Sequence, residues 1–118
     1  MVNRAALMLR YKEPMIRWIN EAEPSDDPPV TQEETDLAQT VYLIDVGATE
    51  SPLVTHRWLR RNFDMLFNLE LVSWFTEPEM WPKRRTFRMF QDWFEVTVHA
   101  AVADLEGTEI FDDEWPDA

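Results

Sequence analysis

Apolar residues recur along this chain at two different spacings. One stretch follows the helical spacing i, i+3, i+4, i+7, with Met15, Trp18, Ile19 and Ala22. In another stretch every second residue is apolar: Val96, Val98, Ala100 and Val102. The first pattern predicts an amphipathic helix over 13–23, and the second predicts a half-buried strand over 95–104.

Local start signals and residue types predict the other elements. Ser51 followed by Pro52 places a capping residue directly before a proline that suits the first helical turn, so a long helix is expected to start there. Apolar, β-branched and aromatic runs predict two more strands, over 3–10 and 40–46. Capping-box patterns and helical spacing give the full set of predicted helices: 13–23, 31–37, 52–75, 76–82 and 84–94.

This order of elements predicts an α/β (α+β) two-layer sandwich. A three-stranded sheet would carry helices mainly on one face, in the order β-α-β-α-α-β when the short segments 31–37 and 76–82 are left out. A β-α-β crossover within one sheet is usually right-handed and joins parallel strands, so we expect the first two strands to be parallel. The direction of the last strand stays open. We interpret residues 1–106 as a single α/β domain and residues 107–118 as an acidic C-terminal tail.

A single layer of helices leaves the second face of the sheet uncovered. On that face we expect apolar side chains from one of two sets, either Tyr42, Ile44 and Val46 or Leu7 and Leu9. Because exposed apolar patches usually mark interfaces, this predicts self-association through the sheet or the long helix, with a symmetric homodimer as the commonest form.

Composition excludes several classes of chemistry. The 118 residues fit one domain, and the absence of cysteine excludes disulfides, thiolate nucleophiles, zinc–thiolate sites and iron–sulfur clusters. Two glycines are too few for the usual phosphate-binding loops. No cofactor and no metal are expected. The apolar runs are too short for a signal-peptide core or a membrane span, so we expect a cytoplasmic protein with no membrane partner.

Charge is distributed unevenly around a net value of −12. Residues 91–118 hold nine Asp and Glu and no Lys or Arg, whereas residues 51–90 hold seven Lys and Arg against four Asp and Glu. Such a net charge repels nucleic acid at long range, so direct nucleic-acid binding is not expected.

The polar residues at the predicted strand ends are the candidates for catalysis. Asp45, His99 and Asp104 could form a carboxylate/His site in which a carboxyl with a raised pKa acts as general base. The more ordinary interpretation, which we favour, is that both aspartates cap loops in solvent and the histidine is hydrogen-bonded at the sheet surface. No residue is assigned a catalytic role.

A basic cluster lies beside aromatic residues in the positive segment; its members are Lys83, Arg84, Arg85 and Arg88. It could hold phosphate while an aromatic ring stacks on a base. With so acidic a chain we favour internal pairing with the carboxylates of residues 91–118, and the same applies to Arg57, Arg60 and Arg61.

Aromatic residues within the acidic tail are the candidates for partner binding. An acidic segment with isolated aromatics can dock into a groove on a partner, or it can fold back on its own domain. The residues concerned are Phe111, Asp112, Asp113, Glu114 and Trp115.

Four segments together resemble a family of small, acidic, tryptophan-rich bacterial proteins of about this length with no assigned activity. They are ALMLRYKEPMIRWIN, YLI, LVSWFTEPEMWP and FRMFQDWFEVTVHAAVADL. The resemblance implies a cytoplasmic bacterial protein with an α/β fold, and it assigns no catalytic residue.

These observations favour a protein–protein interaction or accessory module over an enzyme. Two alternatives stay open. One is a small enzyme with the carboxylate/His site at the strand ends, and the other is an acidic inhibitor that mimics nucleic acid.

Overall fold

Residues 1–112, which the computed structural model describes, fold into a three-stranded sheet with four helices. Single 3-10 turns occupy Val46–Thr49 and Pro78–Met80. The elements in chain order are β1 Ala5–Tyr11, α1 Glu13–Glu21, α2 Gln32–Leu37, β2 Val41–Ile44, α3 Pro52–Trp74, α4 Phe87–Trp93 and β3 Phe94–His99. The predicted two-layer α/β sandwich is confirmed.

The sheet has the strand order β2-β1-β3, and both pairs of neighbours are antiparallel. The expected parallel pairing of the first two strands is therefore wrong. The connection through α1 and α2 returns the chain to the middle of β1, where Val41 pairs with Met8, and β2 then runs back toward Ala5. The amide of Gln32 on α2 donates to the Tyr11 carbonyl at 2.8 Å, so this helix lies beside the end of β1 that β2 does not cover.

One face of the sheet holds the core. β1 places Leu7 between Tyr42 of β2 and Val98 of β3, and all three side chains point toward the helices. Their face is covered by α1, α3 and α4, which contribute Met15, Ile19, Leu66, Phe67, Leu71, Phe87 and Phe90. The rings of Phe67, Phe90 and Phe94 lie 5.2–6.0 Å apart in tilted or edge-on pairs at its centre.

Most of the residues expected on the uncovered face of the sheet lie on the opposite face, which the helices cover. Leu7, Leu9 and Ile44 are buried in the core, and Tyr42 is half-buried on the same side. Val46 is exposed, but it lies in the 3-10 turn after β2. The uncovered face exists, but it carries the alternate residues of the strands.

Several element boundaries differ from the predicted ones. The helix expected from Arg84 begins only at Phe87, because Arg84 adopts a left-handed backbone conformation (φ 54°) that interrupts a helix. β3 ends at His99 rather than at 104. The helix predicted over 76–82 from a capping-box pattern at Thr76 and Glu79 is a single 3-10 turn, Pro78–Met80, and no side chain caps it.

Candidate functional site

A carboxylate is buried between the long helix and the sheet. Glu70 of α3 is only 4% exposed. The hydroxyl of Tyr11 donates to its Oε1 at 2.5 Å, and the hydroxyl of Tyr42 donates to its Oε2. Trp74 Nε1 donates to the Tyr11 hydroxyl oxygen at 2.9 Å. These four residues are called the Tyr–Glu cluster below.

Helical spacing places Glu70 on the face of α3 that meets the sheet. Leu66 and Phe67 precede it by one turn on that face, and Trp74 follows it by one turn. The tyrosines come from neighbouring strands, since Tyr11 ends β1 and Tyr42 pairs on β2 with Leu7. Sequence reasoning missed this site. The available signal was a glutamate at helical spacing from the apolar residues of one helix face.

The charge of Glu70 is stabilised by hydroxyl donors rather than by a cation. Within the described residues, no Lys, Arg or His nitrogen forms an ion pair with it. Burial, followed by the negative charge of Glu70, raises the pKa of Tyr11 far above its usual range. Burial, followed by the hydrogen bond to Glu70, does the same to the pKa of Tyr42. Both tyrosines are therefore neutral donors at physiological pH.

The Tyr–Glu cluster is a closed hydrogen-bond network. Its bonds run in one direction, from Trp74 to Tyr11 to Glu70, and each carboxylate oxygen accepts from one tyrosine. Because Glu70 is only 4% exposed, its carboxylate is not open to a substrate from solvent. The arrangement is that of a structural network that holds α3 on β1 and β2.

The three polar candidates at the strand ends lie in separate local structures. Asp45 Oδ1 accepts from the Gly47 N–H at 2.7 Å, and Asp104 Oδ1 accepts from the Glu106 N–H at 2.9 Å. His99 ends β3 as an exposed residue that pairs with Ala6. No hydrogen bond or ion pair joins the three, and residues 1–112 contain no group of three or more His, Asp or Glu that could hold a metal ion.

The basic cluster is partly paired. Arg85 donates to Asp64 at 3.0 Å, and its guanidinium lies 5.4 Å from the centre of the Phe67 ring. Arg88 pairs with Asp92 at 3.3 Å on α4. Lys83 donates to a backbone carbonyl, whereas Arg84 is exposed and has no ion pair in the described part of the chain. These four residues therefore do not form a single free basic surface.

An apolar patch lies on the outer face of the sheet, where its two β2 residues are exposed, Met8 is half-buried and Ala6 is buried. The register places Ala6, Met8, Val41 and Leu43 together on the side away from the helices, and we call them the outer patch. Val41 and Leu43 are 52% and 50% exposed. A solvated face of an antiparallel sheet is normally polar. β3 follows that rule on this face, with Glu95, Thr97 and His99. The half of the face formed by β1 and β2 does not follow it.

Two residues of the proposed tail site lie within the described structure, Phe111 and Asp112, and both are exposed. Asp113, Glu114 and Trp115 lie outside the described residues. The tail site therefore stays a prediction.

Comparison with protein-family models, curated proteins and solved structures found no match. The resemblance noted from the sequence stays a prediction for the same reason. Among residues 1–112, no helix combines the length and the apolar character that crossing a bilayer requires.

Proposed function

We propose that this chain works in the cytoplasm as a protein-binding module and that a partner protein covers its outer patch. The observation that carries the proposal is the exposed pair Val41 and Leu43 on the side of the sheet away from α1, α3 and α4. β1 and β2 carry apolar residues on both faces of the sheet. This pattern is typical of strands that are covered on both faces.

The surroundings of the outer patch resemble the rim of a protein interface. Arg10 lies next to the patch on β1, and it pairs with Asp36 at 3.1 Å and with Glu95 at 3.8 Å. An apolar centre with a charged, solvated rim is the usual anatomy of a protein–protein interface. Covering the exposed half of a leucine or valine side chain would contribute about 1 kcal/mol each.

The separation of Asp45, His99 and Asp104 gives the enzyme alternative no support. Binding of an acidic mimic to a nucleic-acid-binding protein would need free carboxylates in an ordered array. Five of the acidic side chains in the described chain are instead already paired with arginines: Glu13, Asp36, Asp64, Asp92 and Glu95.

Affinity capture with matched variants tests the proposal. Leu43→Glu places a charge in the outer patch, and Leu53→Glu places the same charge at a similarly exposed apolar residue of α3, away from the patch. We expect wild type and Leu53→Glu to retain the same proteins from native lysate and Leu43→Glu to lose at least one of them. Equal retention by all three, with each variant folded by circular dichroism, would exclude the outer patch as the binding surface.

A variant that lacks residues 107–118 separates the tail from the patch. If the outer patch is the binding surface, this variant retains the proteins that Leu43→Glu loses. Loss of those proteins with the tail removed and the patch intact would assign binding to the tail instead.

A further inference from the structure

β3 forms an outer edge of the sheet, because the strand order is β2-β1-β3. The direction of its backbone groups follows from the bond that the Lys12 N–H donates to the Trp93 carbonyl at 2.9 Å, one position beyond the pair of Tyr11 and Phe94. Hydrogen-bonded and non-hydrogen-bonded pairs alternate along an antiparallel ladder. Every second residue of β3 therefore directs its N–H and C=O groups toward β1, and these residues are Glu95, Thr97 and His99.

The intervening residues Val96 and Val98 direct their N–H and C=O groups away from the sheet. Within residues 1–112, none of these groups takes part in a hydrogen bond. Folded proteins usually protect such an edge with a proline, a bulge or a covering segment. β3 contains no proline, and its register with β1 continues without a bulge from Phe94 to His99. The edge is therefore open to an additional strand.

A groove runs beside this edge on the helix side of the sheet. It has a volume of about 530 Å³ and lies between β3 and the N-terminal part of α3, which contributes Thr55, His56 and Leu59. Val96 and Val98 line its other wall with side chains that are only partly buried. The groove therefore leaves space beside these valines for the side chains of an added strand.

We propose that β3 pairs antiparallel with β3 of a second copy of this chain, about a two-fold axis at Thr97. Val96 then lies opposite Val98 of the second copy, and the two residues exchange both backbone hydrogen bonds. By symmetry the contact occurs twice, so the free backbone groups of both valines are satisfied in each copy. The sheet becomes continuous across the two copies.

The side chains of β3 complement one another in this register. On the outer face, Glu95 lies opposite His99 of the second copy, where an imidazole N–H can donate to the carboxylate. Thr97 lies opposite Thr97 of the second copy, and paired threonines on neighbouring strands are favourable. On the helix side, valine meets valine beside the groove. Apolar, hydroxyl and charged side chains each meet a suitable partner, which favours a second copy as the strand that occupies the edge.

The contact is small for a stable dimer. β3 has six residues, against roughly 20–30 residues per side in a standard interface. The association is therefore weak and reversible, with a Kd on the order of tens to hundreds of micromolar. It uses the edge of β3 and not the outer patch on β1 and β2, so the two proposals can fail separately.

Sedimentation velocity over about 5 to 500 µM measures the association directly. We expect wild type to pass from monomer to dimer across this range. Thr97→Lys should raise the Kd at least about tenfold, because the two-fold axis brings two lysines directly opposite each other. Leu43→Lys is the matched control: it places the same charge on β2, at the opposite edge of the sheet, and should dimerise like wild type.

Two results would overturn the proposal. One is a wild-type protein that stays monomeric at all concentrations. The other is equal dimerisation of Thr97→Lys and Leu43→Lys, with both variants folded by circular dichroism.

Position 99 tests the antiparallel register. His99→Lys places an ammonium group opposite Glu95 of the second copy and should dimerise at least as well as wild type. His99→Glu places two carboxylates opposite each other and should weaken the dimer several-fold. Equal effects of lysine and glutamate would contradict this register.

Hydrogen exchange locates the contact on individual amides. The Val96 and Val98 amides should exchange several-fold more slowly at the highest concentration than at the lowest, since the second copy protects them. The Thr97 amide is the internal control, because it already bonds to β1 in the monomer and should be protected at both concentrations. A dimer that leaves the exchange of Val96 and Val98 unchanged would exclude the β3 edge as the contact.

Discussion

The hydroxyl of Tyr11 donates a 2.5 Å hydrogen bond to Glu70, a residue that lies 59 positions away along the chain. This bond joins the last residue of the central strand to the C-terminal part of the longest helix, one turn before Trp74. Because Tyr42 binds the second oxygen of the same carboxylate, one side chain of α3 fixes two strands of the sheet at once. Polar groups buried in this way have few alternative partners, so they specify how the helix sits on the sheet.

Replacing Glu70 by leucine should destabilise the protein by about 2 kcal/mol, since two tyrosine hydroxyls would lose their acceptor in a partly buried site. Tyr11→Phe alone should also destabilise, because one donor to a buried carboxylate is lost. The double variant should cost at least about 1 kcal/mol less than the sum of the single variants, since the two groups act as a pair. Urea unfolding of all four proteins measures this coupling. Additive costs would show that the bond contributes nothing specific to stability.

The same cluster makes stability fall at alkaline pH. The pKa of both tyrosines is raised in the folded state above the usual value of 10.0. A raised pKa gives stability that is fully present below the unfolded-state pKa and is lost as the pH rises above it. Unfolding free energy should therefore be flat up to about pH 10 and decrease beyond it.

Tyrosinate absorbance provides the readout, because Tyr11 and Tyr42 are the two tyrosines of the chain. Tyrosinate should form together with the loss of far-ultraviolet circular dichroism, and Tyr42→Phe should halve its amplitude. Full tyrosinate formation in a protein that keeps its native dichroism would contradict the prediction.

Local signals were sufficient for the elements whose ends depend on neighbouring residues. Ser51 and Pro52 start α3 as predicted, with Ser51 Oγ accepting from the Val54 N–H at 3.2 Å. The capping box of Thr31 with Glu34 also forms as predicted. These interactions span three residues, so the sequence contains all of their determinants.

Long-range relationships could not be predicted in the same way. The direction of β2 depends on where α1 and α2 return the chain, and the side of the sheet that faces the helices follows from that pairing. In β1 and β2 apolar residues occupy successive positions. The sequence pattern therefore does not show which side of each strand faces the helices. Glu70 was missed because its two partners lie 59 and 28 residues away.

The N-terminal cap of α3 offers a test of its local stabilisation. Ser51→Ala removes the acceptor for the Val54 N–H and should destabilise the protein by about 1 kcal/mol. Ser51→Asp keeps an acceptor and adds a negative charge at the helix N-terminus, so it should match or exceed the stability of wild type. Chemical unfolding of the two variants gives the comparison. Equal losses for alanine and aspartate would mean that the cap does not stabilise α3.

Arg84 provides a test of backbone strain. Its φ of 54° lies in the left-handed region, which costs about 1–2 kcal/mol for a residue with a Cβ. Arg84→Gly removes that cost. Glycine also gives the unfolded chain more conformational entropy, which lowers the stability of the folded protein by about 0.5–1 kcal/mol. The net expectation is therefore a stability higher than wild type by about 0.5 kcal/mol.

Arg84→Ala is the matched control, because it removes the same exposed side chain and keeps the strained Cβ. Chemical unfolding should place the glycine variant about 0.5–1 kcal/mol above the alanine variant. If alanine equals or exceeds glycine, position 84 is not held in the left-handed conformation in solution. The start of α4 would then lie nearer Arg84, where the sequence predicts it.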